Sequence, residues 1–199
     1  MYKKYVFPIF ILIAFIQLAI PVKSIYDQEQ ILAHSKEFKF RTAPVDPNDP
    51  FRGKYVALRF KENTINVALY EKWKQGDKIY AHIDEDKSGF AQLTYASKTE
   101  PTRHKHYIVA KIQRVKTSMD KKNNITNIEI SIQYPFDRFY MEESKAKAAE
   151  DLYRKSTSDQ KKSTYALVNI KNGKATLKDV MVDGISIRKL VEINNYPDF

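Results

Sequence analysis

Cysteine does not occur among the 199 residues, and its absence excludes thiol nucleophiles, Cys-ligated zinc, iron–sulfur clusters, disulfides and a lipidated N-terminal cysteine together. It leaves the compartment open, because a disulfide-free protein can live anywhere. Glycine is scarce too, at five residues, and neither G-x-x-x-x-G-K nor G-x-G-x-x-G is present to cradle a phosphate. H-E-x-x-H and G-x-S-x-G are missing as well. No stretch repeats at a period of about 20–50 residues, so solenoids and propellers are unsupported. Acids are in deficit: 24 Asp and Glu against 34 Lys and Arg give a formal charge of +10, which brings anionic partners into view.

What the chain has in quantity is aromatic and apolar. Thirteen Tyr and 11 Phe in a composition that is 43% hydrophobic exceed what a disordered chain carries. The length fits one domain with an appendage.

The appendage is N-terminal. Tyr5 to Val22 is an apolar run whose single polar side chain is Gln17, and about 20 such residues cross a bilayer as a helix. Pro8 falls in the first turns, and Pro21 is expected to end the helix. Lys3, Lys4 and the α-amino group precede the run, whereas Lys23 is soon followed by Asp27 and Glu29. This asymmetry predicts a cytoplasmic N-terminus and an extracytoplasmic, periplasmic remainder. Val22 and Ser24 also stand where small residues precede a signal-peptidase cut, so cleavage after Ser24 is the alternative, without an A-x-A pattern. Residues 1–24 are thus read as a membrane anchor or uncleaved signal, and 25–43 as a spacer that holds a short amphipathic helix or stalk over Ile25 to Phe38. Residues 44–199 are read as the folded domain.

In that domain the apolar period is two. Tyr55 to Phe60, Ile65 to Tyr70, Lys78 to Ile83, Phe90 to Ala96, Lys105 to Val115, Ile125 to Tyr134, Tyr165 to Lys171, Lys174 to Val182 and Ile185 to Ile193 are rich in Ile, Val, Tyr, Thr and Phe. Turn residues such as Gln75-Gly76-Asp77, Lys87-Ser88-Gly89 and Asn172-Gly173 separate them. The expected fold is mainly β: an antiparallel barrel- or sandwich-like domain after an N-terminal transmembrane helix. One surface helix is expected over Glu142 to Lys155, where helix formers occur with acids first and bases last.

The stretch Asp46-Pro47-Asn48-Asp49-Pro50-Phe51-Arg52-Gly53-Lys54-Tyr55-Val56-Ala57-Leu58-Arg59-Phe60 resembles the signature of the GDYXXLXY family of membrane-anchored bacterial proteins. Gly53, Tyr55 and Leu58 match the name motif, while Lys54 stands where the family has Asp and Phe60 where it has Tyr. Asp137 to Glu142 is similar to a second family segment, and Gly173 to Leu177 with Val182 to Gly184 to its closing hairpin. The resemblance implies an anchored, β-rich exported domain that accompanies multi-pass membrane proteins; it implies no activity. Read as residues, a strand after Gly53 buries Val56, Leu58 and Phe60 on one face and turns Tyr55, Ala57 and Arg59 to the other. Asp46 and Asp49 either cap their own Asp-Pro turns or form a ligand site with Arg52. Lys54 reverses the charge of the family's Asp, which removes any acid, base or metal role there.

Three smaller patterns carry chemistry in principle. Asp84, Asp86, Ser88 and Gly89 follow the opening of a calcium loop, but Tyr95 occupies the place of its closing carboxylate, so a tight hairpin is the better account. His104 and His106 would share a strand face as two imidazole ligands do, although basic residues surround them. A Ser–Lys dyad has no serine in a nucleophile context. Between Lys98 and Lys122 there are eight Lys or Arg and two acids, and Arg103, Lys105, Lys111 and Arg114 make this a candidate patch for anionic phospholipid head groups or an acidic partner. The expected function is a non-enzymatic, anchored binding or assembly subunit beside an integral membrane protein, without cofactor, metal or nucleic acid. An envelope hydrolase whose site is assembled from distant residues is the alternative.

Overall fold

The computed structural model describes residues 3–45, 55–104, 106–122, 124–159 and 161–194. Helix α1 covers Lys3–His34. It runs through Pro21 instead of stopping there, because a proline removes one main-chain hydrogen bond while Gln28, Glu29, Gln30, Leu32 and Ala33 are all good helix formers. Its segment Phe7–Tyr26 is long and apolar enough to cross a bilayer.

One residue, Ser35, separates α1 from strand β1, Lys36–Ala43. This strand lies in the stretch read as spacer. Phe38, Phe40 and Thr42 alternate inward and are buried, a period-two pattern hidden by the helix-rich sequence just before it. The expected strand Tyr55 to Phe60 is two short pieces, β2 (Val56–Ala57) and β3 (Arg59–Phe60). β4 (Thr64–Val67), β5 (Lys78–Glu85), β6 (Ala91–Ser97), β7 (Tyr107–Met119), β8 (Ile125–Gln133) and β9 (Arg138–Phe139) follow. After helix α2 (Glu143–Ser158) come β10 (Thr164–Lys171), β11 (Lys174–Val182) and β12 (Ile185–Ser186). Helix α3, Ile187–Asn194, replaces the strand expected to Ile193. Ile187, Val191 and Ile193 give it a strand-like look, but Arg188, Lys189, Leu190 and Glu192 are helix formers, and Ile187 and Val191, four apart, are the residues it buries.

The strands form two five-stranded sheets, β12-β11-β10-β1-β3 and β4-β8-β7-β5-β6, and the two-stranded pair β2-β9. All strand pairings are antiparallel. β6 comes back against β4, so the second sheet curls into a nearly closed, barrel-like shape. Ile108 and Gly173 form a parallel bridge that joins the two sheets. The fold is mainly β with three helices, as the sequence predicts apart from the third. Helix α2 is more than a surface helix: Ala146, Ala149, Tyr153 and Ser156 form a buried stripe. Between the sheets, Phe40, Phe60, Tyr134 and Phe136 pack ring to ring with centroids 5.0–5.7 Å apart, Tyr134 and Phe136 stacked and the other pairs edge-on, distances at which aromatic rings attract.

Candidate functional site

Of the motif residues, Asp46, Asp49, Arg52, Gly53 and Lys54 lie outside the described residues, as does Lys105. Val56, Leu58 and Phe60 are 0%, 4% and 5% exposed, so this face of the segment is core. The main chain changes partners at Leu58. Val56 and Ala57 pair with Phe139 and Arg138, the Leu58 N–H donates to the Asp137 carbonyl at 2.8 Å, and Arg59 and Phe60 then pair with β1. A strand that switches sheets is short in each, which is why one predicted strand appears as two. The two family-like segments, around Tyr55 and around Asp137, are therefore hydrogen-bonded neighbours.

On the outer side of this junction Tyr55 meets the exposed Tyr140 at 5.7 Å, and the Arg138 guanidinium lies 4.9 Å over the Tyr55 ring. Arg188 of α3 lies 4.5 Å over Phe139 and donates to the Tyr140 carbonyl. These contacts clamp β9 from both sides.

Beside the clamp are two adjoining hollows of about 430 and about 380 Å³, within the size range of ligand sites. Both are bordered by Gln133, Tyr134 and Asp137. Lys78, Lys111 and Arg138 line the larger, Arg59 and Arg114 the smaller. The Gln133 amide donates to Asp137 at 3.2 Å, and Arg138 stands 3.9 Å from the same carboxylate. Lys78 is the direct cross-strand partner of Lys111.

The predicted basic patch is thus divided. Lys111 and Arg114 belong to the hollows, whereas Arg103 lies exposed in the loop before β7. Sequence reasoning missed Lys78, whose place beside Lys111 depends on the β5–β7 register and not on a local pattern. Gln133 has no signal in the sequence that sets it apart. Asp137 and Arg138 had one, as part of the second family-like segment.

The calcium-like pattern is a hairpin turn. Asp86 accepts from the Ser88 and Phe90 N–H groups at 2.8 and 3.0 Å, and its other oxygen is 2.7 Å from Arg41. These bonds, from Phe90 and then Arg41, hold the carboxyl below the usual carboxylate range. His104 and His106 precede β7 and do not share a strand face. His104 meets the His82 ring at 5.2 Å, and His106 meets Phe38 at 5.6 Å. Burial, and then His104, pushes His82 below its ordinary value. Among the described residues no three His, Cys, Asp or Glu side chains converge.

The chain matches the GDYXXLXY protein family over residues 17–180, a range that takes in the second half of the apolar helix, both segments of the junction and most of the closing hairpin. No curated protein and no solved structure matches the chain.

Proposed function

We propose that this chain, which belongs to the GDYXXLXY family, is a single-pass envelope protein with a cytoplasmic N-terminus and a periplasmic β domain. It acts without catalysis, as a binding or assembly subunit beside an integral membrane partner. The observation that carries the partner is Gln17. It sits midway along Phe7–Tyr26, a segment of mean hydropathy 2.0 with none of its residues buried against the rest of the chain. Pro21, four residues on, lacks the N–H that would bond the Gln17 carbonyl. One level of the helix therefore offers both a side-chain amide and a free main-chain carbonyl. In hydrocarbon, unpaired polar groups of this kind cost several kcal/mol each, and a neighbouring helix is the usual source of partners.

The orientation rests on Lys3 and Lys4 before the span and on the acids that follow Lys23. The position of the domain follows from α1: Lys36 is ten residues beyond Tyr26, about 15 Å along a helix, which holds β1 near the head groups.

The test is Gln17→Leu in native membranes. The parent should resist carbonate extraction, keep its N-terminus and migrate on native gels with an integral membrane protein. Gln17→Leu should insert equally well and lose that complex. A mature chain that begins at Ile25 overturns the anchor. A complex that survives Gln17→Leu, or that contains copies of this chain alone, overturns the partner.

A further inference from the structure

We infer that the two adjoining hollows beside β9 form one binding site for a phosphate-bearing anion, a role that goes beyond anchoring and assembly. The evidence starts with a local conflict. Lys78 and Lys111 stand directly opposite each other on β5 and β7, both exposed on the same side of the sheet. Like charges so placed repel. Among the described residues neither ammonium has a carboxylate partner, and Lys78 rests over the Tyr80 ring at 5.0 Å. The arrangement wants an anion between them.

The surroundings supply the rest of a site. On β8, Gln133 continues the row opposite Lys111. It donates to Asp137 at 3.2 Å, and Arg138 stands 3.9 Å from that carboxylate on the other side, so the one acid bordering the hollows among the described residues is already engaged. Arg114 closes the second hollow over a floor that includes Tyr134. The combined charge of Lys78, Lys111, Arg114 and Arg138 against Asp137 is strongly positive. A phosphoryl group answers it, because its several oxygens accept from both ammonium groups at once and its charge of about −1.5 to −2 offsets both. The second hollow has room for the remainder of the molecule. A soluble phosphoester and a phospholipid head group share this chemistry.

The test uses the full chain in neutral detergent, titrated with inorganic pyrophosphate in a calorimeter at low salt. Binding should saturate and weaken as salt rises. Lys78→Gln and Lys111→Gln should each weaken it about tenfold. Lys121→Gln removes the same charge at the β7–β8 turn and should leave the affinity unchanged. Without anion, Lys111→Gln should melt at or above the parent temperature, and pyrophosphate should raise the melting temperature of the parent and of Lys121→Gln more than that of Lys78→Gln or Lys111→Gln. Absence of saturable binding, an equal loss in Lys121→Gln, or a fall in melting temperature on Lys111→Gln would each overturn the site. In nanodiscs that contain a photoreactive phosphatidic acid, cross-linking beside Lys111 identifies a head group as the source. Pyrophosphate binding without that cross-link identifies a soluble phosphoester.

Discussion

Gly173 is packed so closely against Tyr107 that a Cβ added to it would stand 2.8 Å from Cε2 of the ring, and 3.0 Å from Val109 Cγ2. The contact joins the two sheets: the Val109 N–H donates to the Gly173 carbonyl at 3.0 Å, and the Gly173 N–H to the Tyr107 carbonyl at 3.1 Å. Tyr107 does not move aside easily, because its hydroxyl donates to Glu100 at 2.6 Å. That bond, with burial, pushes the phenol up to about 12.

Gly173→Ala is expected to cost about 2–4 kcal/mol, the sum of a left-handed backbone at φ +79° and an overpacked contact. Denaturant unfolding of the full chain measures it. Asn172→Gly, at the neighbouring turn position with φ 48°, should change stability by well under half of that. If Gly173→Ala unfolds with the parent, the junction between the sheets is softer than its geometry indicates.

Phe60, where the family has Tyr, is a core residue in this chain. Phe60→Ala removes a ring that meets Phe40, Tyr134 and Phe136 at 5.3–5.7 Å and should cost about 3–5 kcal/mol, with Phe60→Leu losing about 1.5 or less. The same unfolding curves decide it, and equal stability of Phe60→Ala and the parent would place Phe60 outside the core.

His82 gives the domain a pH dependence whose sign is fixed. Its folded pKa is below the ordinary 6.5, first through burial and then through His104, while Tyr95 and Tyr107 flank its ring. The folded state then binds fewer protons than the unfolded one. Stability is complete above about pH 7 and falls as the pH drops through 6.5 toward the folded value. Thermal melts of His82→Gln between pH 8 and 5 should show a flatter profile than the parent; an unchanged profile would assign the dependence to another group.

Asp86 ties the β5–β6 turn to β1 through Arg41. Asp86→Asn should lower the melting temperature by a few degrees and weaken the docking of that hairpin. Calcium should not shift the parent's melting temperature, because the carboxylate already accepts from two N–H groups and pairs with Arg41. A calcium-dependent rise lost in Asp86→Asn would restore the metal reading.

The alternation at Val56, Leu58 and Phe60, and at Ile128, Ile130 and Ile132, was legible because one buried face imposes a period of two on any sequence that satisfies it. Phe38 and Phe40 obey the same rule, yet β1 starts one residue after a helix, and a window centred there mixes both periods. At the other end, α3 mixes the β-branched Ile187, Val191 and Ile193 with the helix formers Arg188, Lys189, Leu190 and Glu192, and burial of Ile187 and Val191, four apart, fits the helix. The cleft was half legible. Lys111 and Arg114 stand in a conspicuously basic run, but Lys78 comes from a separate stretch and reaches them only through strand register, a relationship fixed by pairing across the sheet and not by neighbours along the chain.

The single residue between α1 and β1 has a mechanical meaning. A long glycine- and serine-rich stalk would let a domain drift over the surface beside it; Ser35 alone lets the helix act as a keyed shaft. Each residue of helix phase corresponds to about 100° of rotation. The azimuth of the β domain, and with it the direction in which the Lys78–Lys111 face points, is therefore set by which side of the helix carries Gln17. Inserting one alanine before Ser35 would turn that face by roughly a quarter of a circle, while inserting seven would return it close to its starting heading and lift it by about 10 Å.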